Sequence, residues 1–210
     1  MKIAVVGTQC IGKSTYIKDF LNKWNMYTTP EKTYRDVVKE KNIPINRLGD
    51  ESSQRIILDF LVDQALSCSK SDNVIFDRCV LDNLAYSSWL HLNGSVSEKF
   101  LDESRILVRE TLKMFDIILF LPMTKMSPVK IVEDGVRDVD PVYREEIDNI
   151  FKAFVKSYHQ GDGRVFPKGD SPPIIEIYGN PEQRIALTSM YITEEGKPYG
   201  EEQSLISDIY

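Results

Sequence analysis

A short apolar segment that runs directly into a glycine-rich turn is the feature that most constrains this chain. Residues Ile3 to Val6 predict a buried strand, and the turn reads Gly7-Thr8-Gln9-Cys10-Ile11-Gly12-Lys13-Ser14. This turn matches G-x-x-x-x-G-K-[ST], in which backbone N–H groups surround a polyphosphate and the lysine reaches its terminal phosphates. The sequence therefore predicts that Gly7 to Ser14, with Thr15, bind the phosphates of ATP, and that Ser14 ligates Mg²⁺.

The alternative for this segment is a glycine-rich turn that holds no ligand. Against it, the next residues, Lys13 to about Trp24, carry apolar side chains at helical spacing. Such a helix would direct the positive end of its dipole at a bound anion. The combination of strand, glycine-rich turn and amphipathic helix favours nucleotide binding.

Composition limits the other classes of function. The chain has 210 residues, 42% hydrophobic and 28% charged, which is typical of one soluble domain. Its net charge of −6 argues against a general nucleic-acid surface, although a local basic groove stays open. No apolar run is long enough to span a membrane, and the first strand leaves no room for a signal peptide. Three cysteines without metal or disulfide spacing fit a reducing compartment, so we expect a cytoplasmic protein.

Strand and helix patterns alternate along the chain, which predicts an α/β fold with a parallel sheet covered by helices on both faces. We expect five strands, near residues 3–6, 25–29, 73–78, 116–121 and 174–178. Residues 1–192 would form one domain, a three-layer α/β/α sandwich. Residues 122–140 lack a helical period and would form a mobile lid, and residues 193–210 would form a polar tail, docked or disordered.

Glu31 follows the predicted second strand, where ligands collect in open α/β sheets. It is a candidate general base toward a substrate hydroxyl. The alternative is an acid in the first turn of a helix, paired with Arg35 four residues later.

Asp77 and Arg78 end the predicted third strand. If that strand lies beside the first, Asp77 can hold Mg²⁺ and Arg78 can point toward the transferred phosphoryl group. The alternative is a surface salt bridge. Asp82, Asn83 and Tyr86 follow on a helix that would face the same crevice.

The predicted lid contains the sequence Asp134-Gly135-Val136-Arg137, and Arg144 follows on the next helix. A segment that carries arginines and closes over a phosphate loop neutralises charge and excludes water. Arg137 is therefore a candidate catalytic residue. For Arg144 a lid role and a solvated position are both open.

Together, these segments resemble the nucleoside and nucleotide kinase group of P-loop proteins, and in particular the AAA_28-type family that includes ribosylnicotinamide kinase domains. The resemblance covers about residues 1–190 and extends to deoxynucleoside and thymidylate kinases. In deoxynucleoside kinases a glutamate after the second strand activates the acceptor hydroxyl, and an acid–arginine pair after the third strand binds metal and phosphate. By position, this implies such roles for Glu31, Asp77 and Arg78.

The first hypothesis is a Mg²⁺-dependent kinase that moves the γ-phosphoryl group of ATP to a nucleoside or nucleotide-like small molecule. Lys13, Glu31, Asp77, Arg78 and Arg137 would be its catalytic residues, and Ser14 and Asp77 its metal ligands. A variant would act on a modified base or an end in DNA, and a different class would be a P-loop ATPase with a regulatory role. The sequence predicts no membrane partner and leaves a homodimer open.

Overall fold

A computed structural model describes residues 1–68, 72–127 and 139–199 of the chain. Four strands lie within these ranges: β1 Lys2–Val6, β2 Val74–Asp77, β3 Ile117–Phe120 and β4 Ile174–Glu176. Seven α-helices lie within them as well: α1 Lys13–Lys23, α2 Tyr34–Lys41, α3 Glu51–Ser67, α4 Val80–Leu92, α5 Glu98–Leu112, α6 Pro141–His159 and α7 Pro181–Thr188.

The strands form one parallel sheet in the order β2-β1-β3-β4. Alternate residues of β1 belong to separate cores: Ala4 and Val6 pack with α3, α4, α5 and α6, whereas Ile3 and Val5 pack with α1. This alternation follows from the period of two in a strand, and burial on both faces explains its uninterrupted apolar sequence. The predicted three-layer α/β/α arrangement is confirmed for the described residues.

The prediction of five strands was wrong, because the described residues form four. Residues 25–29 contribute only an isolated parallel bridge from Thr28 to Val74. Thr28 N donates to Asn73 O at 2.9 Å, and Ile75 N donates to Thr28 O at 2.9 Å. Pro30 follows almost at once and lacks an N–H group, so this ladder does not extend.

Residues 193–199, the described part of the predicted tail, contact the segment that follows α1. Trp24 Nε1 donates to Thr193 O at 2.8 Å, and the Tyr27 hydroxyl donates to Gly196 O at 2.6 Å. An antiparallel bridge joins Ile192 to Pro198. These seven residues therefore pack against the segment that follows α1.

No helix within the described ranges is long and apolar enough to cross a membrane.

Candidate active site

The glycine-rich turn joins β1 to the N-terminus of α1, and its glycines are required by geometry. Gly7 has φ +141°, and a Cβ there would lie 2.7 Å from the backbone oxygen of Leu121. Gly12 has φ 89° and immediately precedes Lys13, the first residue of α1. Glycine accepts both the positive φ and the close backbone approach, since it has no side chain. The structure thus contains the predicted phosphate loop at the positive end of a helix dipole.

Lys13 is buried and folds back over this loop. Its Nζ donates to Gly7 O at 2.6 Å and to Thr8 O at 2.8 Å. Burial and, to a smaller extent, the nearby Arg78 lower the pKa of Lys13 to about 7, although Asp82 and Asp77 oppose the shift. The site therefore holds a cation that lacks full compensation and would be stabilised by an anion.

We expect the titration of Lys13 to make the ligand-free protein more stable as the pH rises above about 7. The pKa of Lys13 is about 7 in the folded protein and 10.5 ordinarily. Between these values the unfolded chain binds a proton that the folded chain has lost, so the free energy of unfolding increases with pH. Denaturant titrations across this range should show a smaller increase for Lys13→Met than for the natural sequence. Parallel pH profiles for the two proteins would contradict this assignment.

Asp77 lies beside the phosphate loop, as predicted, because β2 pairs directly with β1. Val5 and Asp77 are partners in the parallel register, and the Ser14 hydroxyl donates to Asp77 Oδ2 at 3.1 Å. The other carboxylate oxygen, Asp77 Oδ1, is buried without a hydrogen-bond partner in the described residues. A hydroxyl beside an incompletely satisfied carboxylate fits the oxygen ligands of Mg²⁺. Within the described ranges, no group of three or more acidic, histidine or cysteine side chains is arranged to hold a metal ion.

Arg78 is buried between two aromatic rings. Its guanidinium carbon lies 4.7 Å from the ring centre of Tyr34 and 5.0 Å from that of Tyr86, and Nη1 lies 3.2 Å from Asp82 Oδ1. Its φ of 82° is in the left-handed region, which is uncommon for a residue with a side chain. Since Arg78 is 7% exposed, the surface salt-bridge alternative is wrong.

Two cavities meet at Arg78. The first, which we call the phosphate cavity, has an empty volume of about 460 Å³ and is lined by Gln9, Cys10, Gly12, Lys13, Ser14, Thr15, Tyr34, Arg35 and Arg78. The second, which we call the aromatic cavity, has an empty volume of about 420 Å³ and is lined by Tyr34, Ile45, Asn46, Gln54, Ile57, Leu61, Arg78, Asp82, Asn83 and Tyr86. Tyr34 and Arg78 line both, so the guanidinium stands at the boundary between the two spaces.

The floor of the aromatic cavity carries buried amide groups. Asn83 Nδ2 donates to Gln54 O at 2.9 Å and to Gln54 Oε1 at 3.0 Å. Asn83 Oδ1 is buried and has no hydrogen-bond partner among the described residues. A buried acceptor of this kind favours a ligand that donates a hydrogen bond.

The hydroxyl of Tyr86 connects the two cavities. It accepts a hydrogen bond from Gln9 N at 3.1 Å and one from Arg78 Nη2 at 3.4 Å, and it donates to Gln9 Oε1. The helix that lines the aromatic cavity is therefore bonded to the backbone and to a side chain of the phosphate loop.

Glu31 has an exposed side chain and precedes α2, which begins at Tyr34. The first-turn alternative is therefore wrong: the acid in that turn is Asp36, which completes a capping box with Thr33. Among the described residues, no ion pair joins Glu31 to Arg35. Arg35 Nε instead donates to the Tyr34 hydroxyl at 3.4 Å. Pro30 and Lys32, the neighbours of Glu31, line a further cavity together with Ser14 and Asp77.

The predicted lid is described only at its two ends. Arg137 and the rest of residues 128–138 lie outside the described residues. Arg144 is described and is 5% exposed, so the solvated position is wrong for it.

Sequence reasoning missed Tyr34 and Gln54. Gln54 occupies the inward face of α3, on the same stripe as Ile57, Leu58 and Leu61. A polar side chain at an apolar position of a helix was the available signal. Tyr34 carried no such signal, because its role depends on the position of α2 relative to Arg78.

Several solved structures have this architecture. A deoxyadenosine kinase from M. mycoides, solved with the products dCMP and dCDP, matches with a TM-score of 0.63 and 17% identity, over 90% of this chain and 97% of that one. A NadR protein in complex with NR matches with a TM-score of 0.63 and 14% identity, over 96% of this chain but only 54% of the NadR chain. A thymidylate kinase from Candida albicans matches with a TM-score of 0.58 and 17% identity, over 90% of this chain and 88% of that one.

The phosphate loop and the fold thus define a P-loop protein that shares its architecture with these nucleoside and nucleotide kinases. The family model AAA_28, described as an AAA domain, matches residues 2–162, and the chain belongs to that family. No curated protein sequence matches the chain significantly. The resemblance to the AAA_28 family that was inferred from the sequence is therefore confirmed.

Proposed function

We propose that this protein is a kinase that transfers the γ-phosphoryl group of ATP to a nucleoside or nucleotide-like acceptor. The observation that carries the proposal is the shared boundary of the two cavities at Arg78 and Tyr34. A triphosphate in the phosphate cavity and an acceptor in the aromatic cavity would have their reacting atoms on either side of one guanidinium. Transfer between two bound substrates requires such proximity.

The aromatic cavity supports a planar heterocyclic acceptor. The rings of Tyr34 and Tyr86 offer aromatic surface, and the amides of Gln54 and Asn83 offer hydrogen bonds to the edge of a ring. The related folds were solved with dCMP or with NR, which agrees with an acceptor of this class.

Each residue of the site would have a separate role. Lys13 and the loop N–H groups bind the phosphates, and Arg78 and Arg137 stabilise charge on the transferred group. Ser14 and Asp77 would hold Mg²⁺, which neutralises charge on the β- and γ-phosphates. For a hydroxyl acceptor, its oxygen forms the new bond to phosphorus, the bond to the β-phosphate oxygen breaks, and Glu31 takes the hydroxyl proton.

The direct test is incubation with γ-labelled ATP, Mg²⁺ and a panel of acceptors: nucleosides, nucleoside monophosphates, nicotinamide riboside and modified DNA. We expect label in a small-molecule acceptor. Label in DNA would instead support the DNA-directed variant. Label released only as inorganic phosphate, at a rate independent of every acceptor, would support the ATPase class and overturn the proposal.

With a hydroxyl acceptor, Glu31→Gln is expected to lower kcat by about 10²- to 10⁴-fold, the usual contribution of a general base. Basal hydrolysis of ATP should change little. Glu40→Gln is the control, because Glu40 is also exposed and lies on α2, where it pairs with Lys32. Normal turnover in Glu31→Gln would reject Glu31 as the base and leave Asp77 as the acid to test next, through Asp77→Asn.

A further inference from the structure

The outer side of the phosphate loop is bonded to two buried arginines. Arg144 Nε donates to Gln9 O at 3.1 Å, and Arg144 Nη2 donates to Cys10 O at 3.1 Å. Arg184 Nη1 donates to Ile11 O at 2.9 Å. The carbonyl groups of three successive loop residues are therefore occupied by two guanidinium groups, which are 5% and 4% exposed.

The two arginines come from helices far apart in the sequence. Arg144 lies in the first turn of α6, after the cap residue Asp140, and Arg184 lies in the first turn of α7, after the cap residue Asn180. Arg184 Nε also donates to Gly179 O at 3.0 Å, which ties the end of the β4–α7 connection to the loop. Both helices thus begin beside the phosphate loop and direct one buried cation at its backbone.

The backbone between these contacts is in a disfavoured conformation. Cys10 has φ 55°, in the left-handed region that L-residues other than Asn and Asp seldom occupy. Such a conformation persists where the surrounding structure imposes it. The bond from Arg144 to Cys10 O, with those to the carbonyls on either side, supplies that constraint.

The placement of charge also points to the loop. Arg184 Nη2 is buried without a hydrogen-bond partner, and no carboxylate pairs with Arg184 in the part of the chain that the structure describes. Burial lowers the pKa of Arg184, and only Tyr16 opposes the shift. The side chain of Arg144 has Asp148 nearby, one turn along α6.

The bonds to the loop carbonyls also orient the loop N–H groups. Because the C=O and N–H of one trans peptide unit point in opposite directions, carbonyls held outward favour N–H groups directed inward at a phosphate.

We propose that Arg144 and Arg184 are positioning residues that hold loop residues 9–11 in the conformation that binds the phosphate chain. They act through the backbone of the loop and do not touch the nucleotide. The proposal rests on the proposed function in one respect, namely that the loop binds a polyphosphate. The shape of the guanidinium group matters to this role as well as its charge, because Arg144 donates to two carbonyls at once.

The test is equilibrium binding of ATP and of inorganic tripolyphosphate to Arg144→Gln, Arg144→Lys, Arg184→Gln and Arg184→Lys. We expect all four variants to bind both probes at least tenfold more weakly than the natural protein. Arg109→Gln is the matched control, because Arg109 also donates to a backbone carbonyl, Gly163 O at 3.1 Å, away from the loop. It should bind both probes normally.

Hydrogen exchange of the ligand-free proteins separates positioning from general destabilisation. Amides of residues 8–12 should exchange faster in the four variants, while amides of β1 and β3 keep the natural rate. Acceleration across the whole chain with normal affinity for the probes would show that the arginines serve stability alone.

Three further outcomes decide the proposal. Lysine variants that restore affinity to within about twofold would show that charge suffices, and would overturn it. A natural protein that binds neither probe would overturn both this proposal and the proposed function. Expected binding and exchange results, with no transfer to any acceptor, would support the positioning role and count against the kinase.

Discussion

Replacement of Lys13 by methionine is expected to lower kcat/KM for phosphoryl transfer on the order of 10³-fold. Lys13 Nζ is buried at the phosphate loop, where it bonds two loop carbonyls, Gly7 O and Thr8 O. In this dry environment a cation directed at phosphate stabilises developing charge far more than it would in water. Steady-state kinetics with the acceptor found in the panel measure the loss, and nucleotide binding should weaken in parallel.

This loss is separable from unfolding. Methionine removes a charge that the ligand-free protein buries at a cost, so below pH 7 the melting temperature of Lys13→Met should equal or exceed that of the natural protein. The control is Lys18→Met, which changes an exposed lysine on the same helix and should alter neither activity nor stability. Unchanged nucleotide affinity in Lys13→Met would refute the assignment of this turn as the phosphate site.

Replacement of Arg78 by lysine is expected to lower kcat by about 10³-fold or more, within the range known for arginines that stabilise transferring phosphoryl groups. Lysine keeps the charge but loses the planar group that lies between Tyr34 and Tyr86 and bonds Asp82. The guanidinium would no longer be presented at the boundary of the two cavities, so both the position and the number of donors change.

A kinetic comparison, a control variant and a check of folding make this prediction specific. Kinetics should show a larger effect on kcat than on the KM for ATP, because Arg78 is assigned to the transferred group and Lys13 to the phosphate chain. Arg105→Lys is the control, since Arg105 on α5 pairs with Glu98 and Asp102 at the surface. A normal kcat in Arg78→Lys, with a folded protein by circular dichroism, would remove Arg78 from the catalytic residues.

The sequence predicted the structure most accurately around β1 and β2. The strand, the glycine-rich turn and the following helix are contiguous, so their geometry follows from local rules of spacing and conformation. Asp77 was placed correctly because parallel strands bring their carboxyl ends to one edge of the sheet. The prediction of a full strand at residues 25–29 was wrong, because a single bridge at Thr28 and a full strand have the same sequence pattern in a short segment before a proline.

The exposed Glu31 and the buried Arg144 show where such reasoning stops. Both are charged residues near the start of a helix, and nothing local indicates that one faces solvent while the other bonds the phosphate loop. Gln9 O lies 135 positions before Arg144, and this contact exists only because α6 packs beside the turn.

The sequence by itself therefore determined the phosphate loop, the α/β class and the acid–arginine pair at the end of β2, since each depends on residues close together in the chain. Only the tertiary structure decided the four-stranded order, the two cavities that meet at Arg78 and the arginines behind the loop. The physical reason is that these features depend on the packing of helices from distant parts of the chain. A local pattern encodes that a helix forms and which face is apolar, but not what its polar side chains will meet.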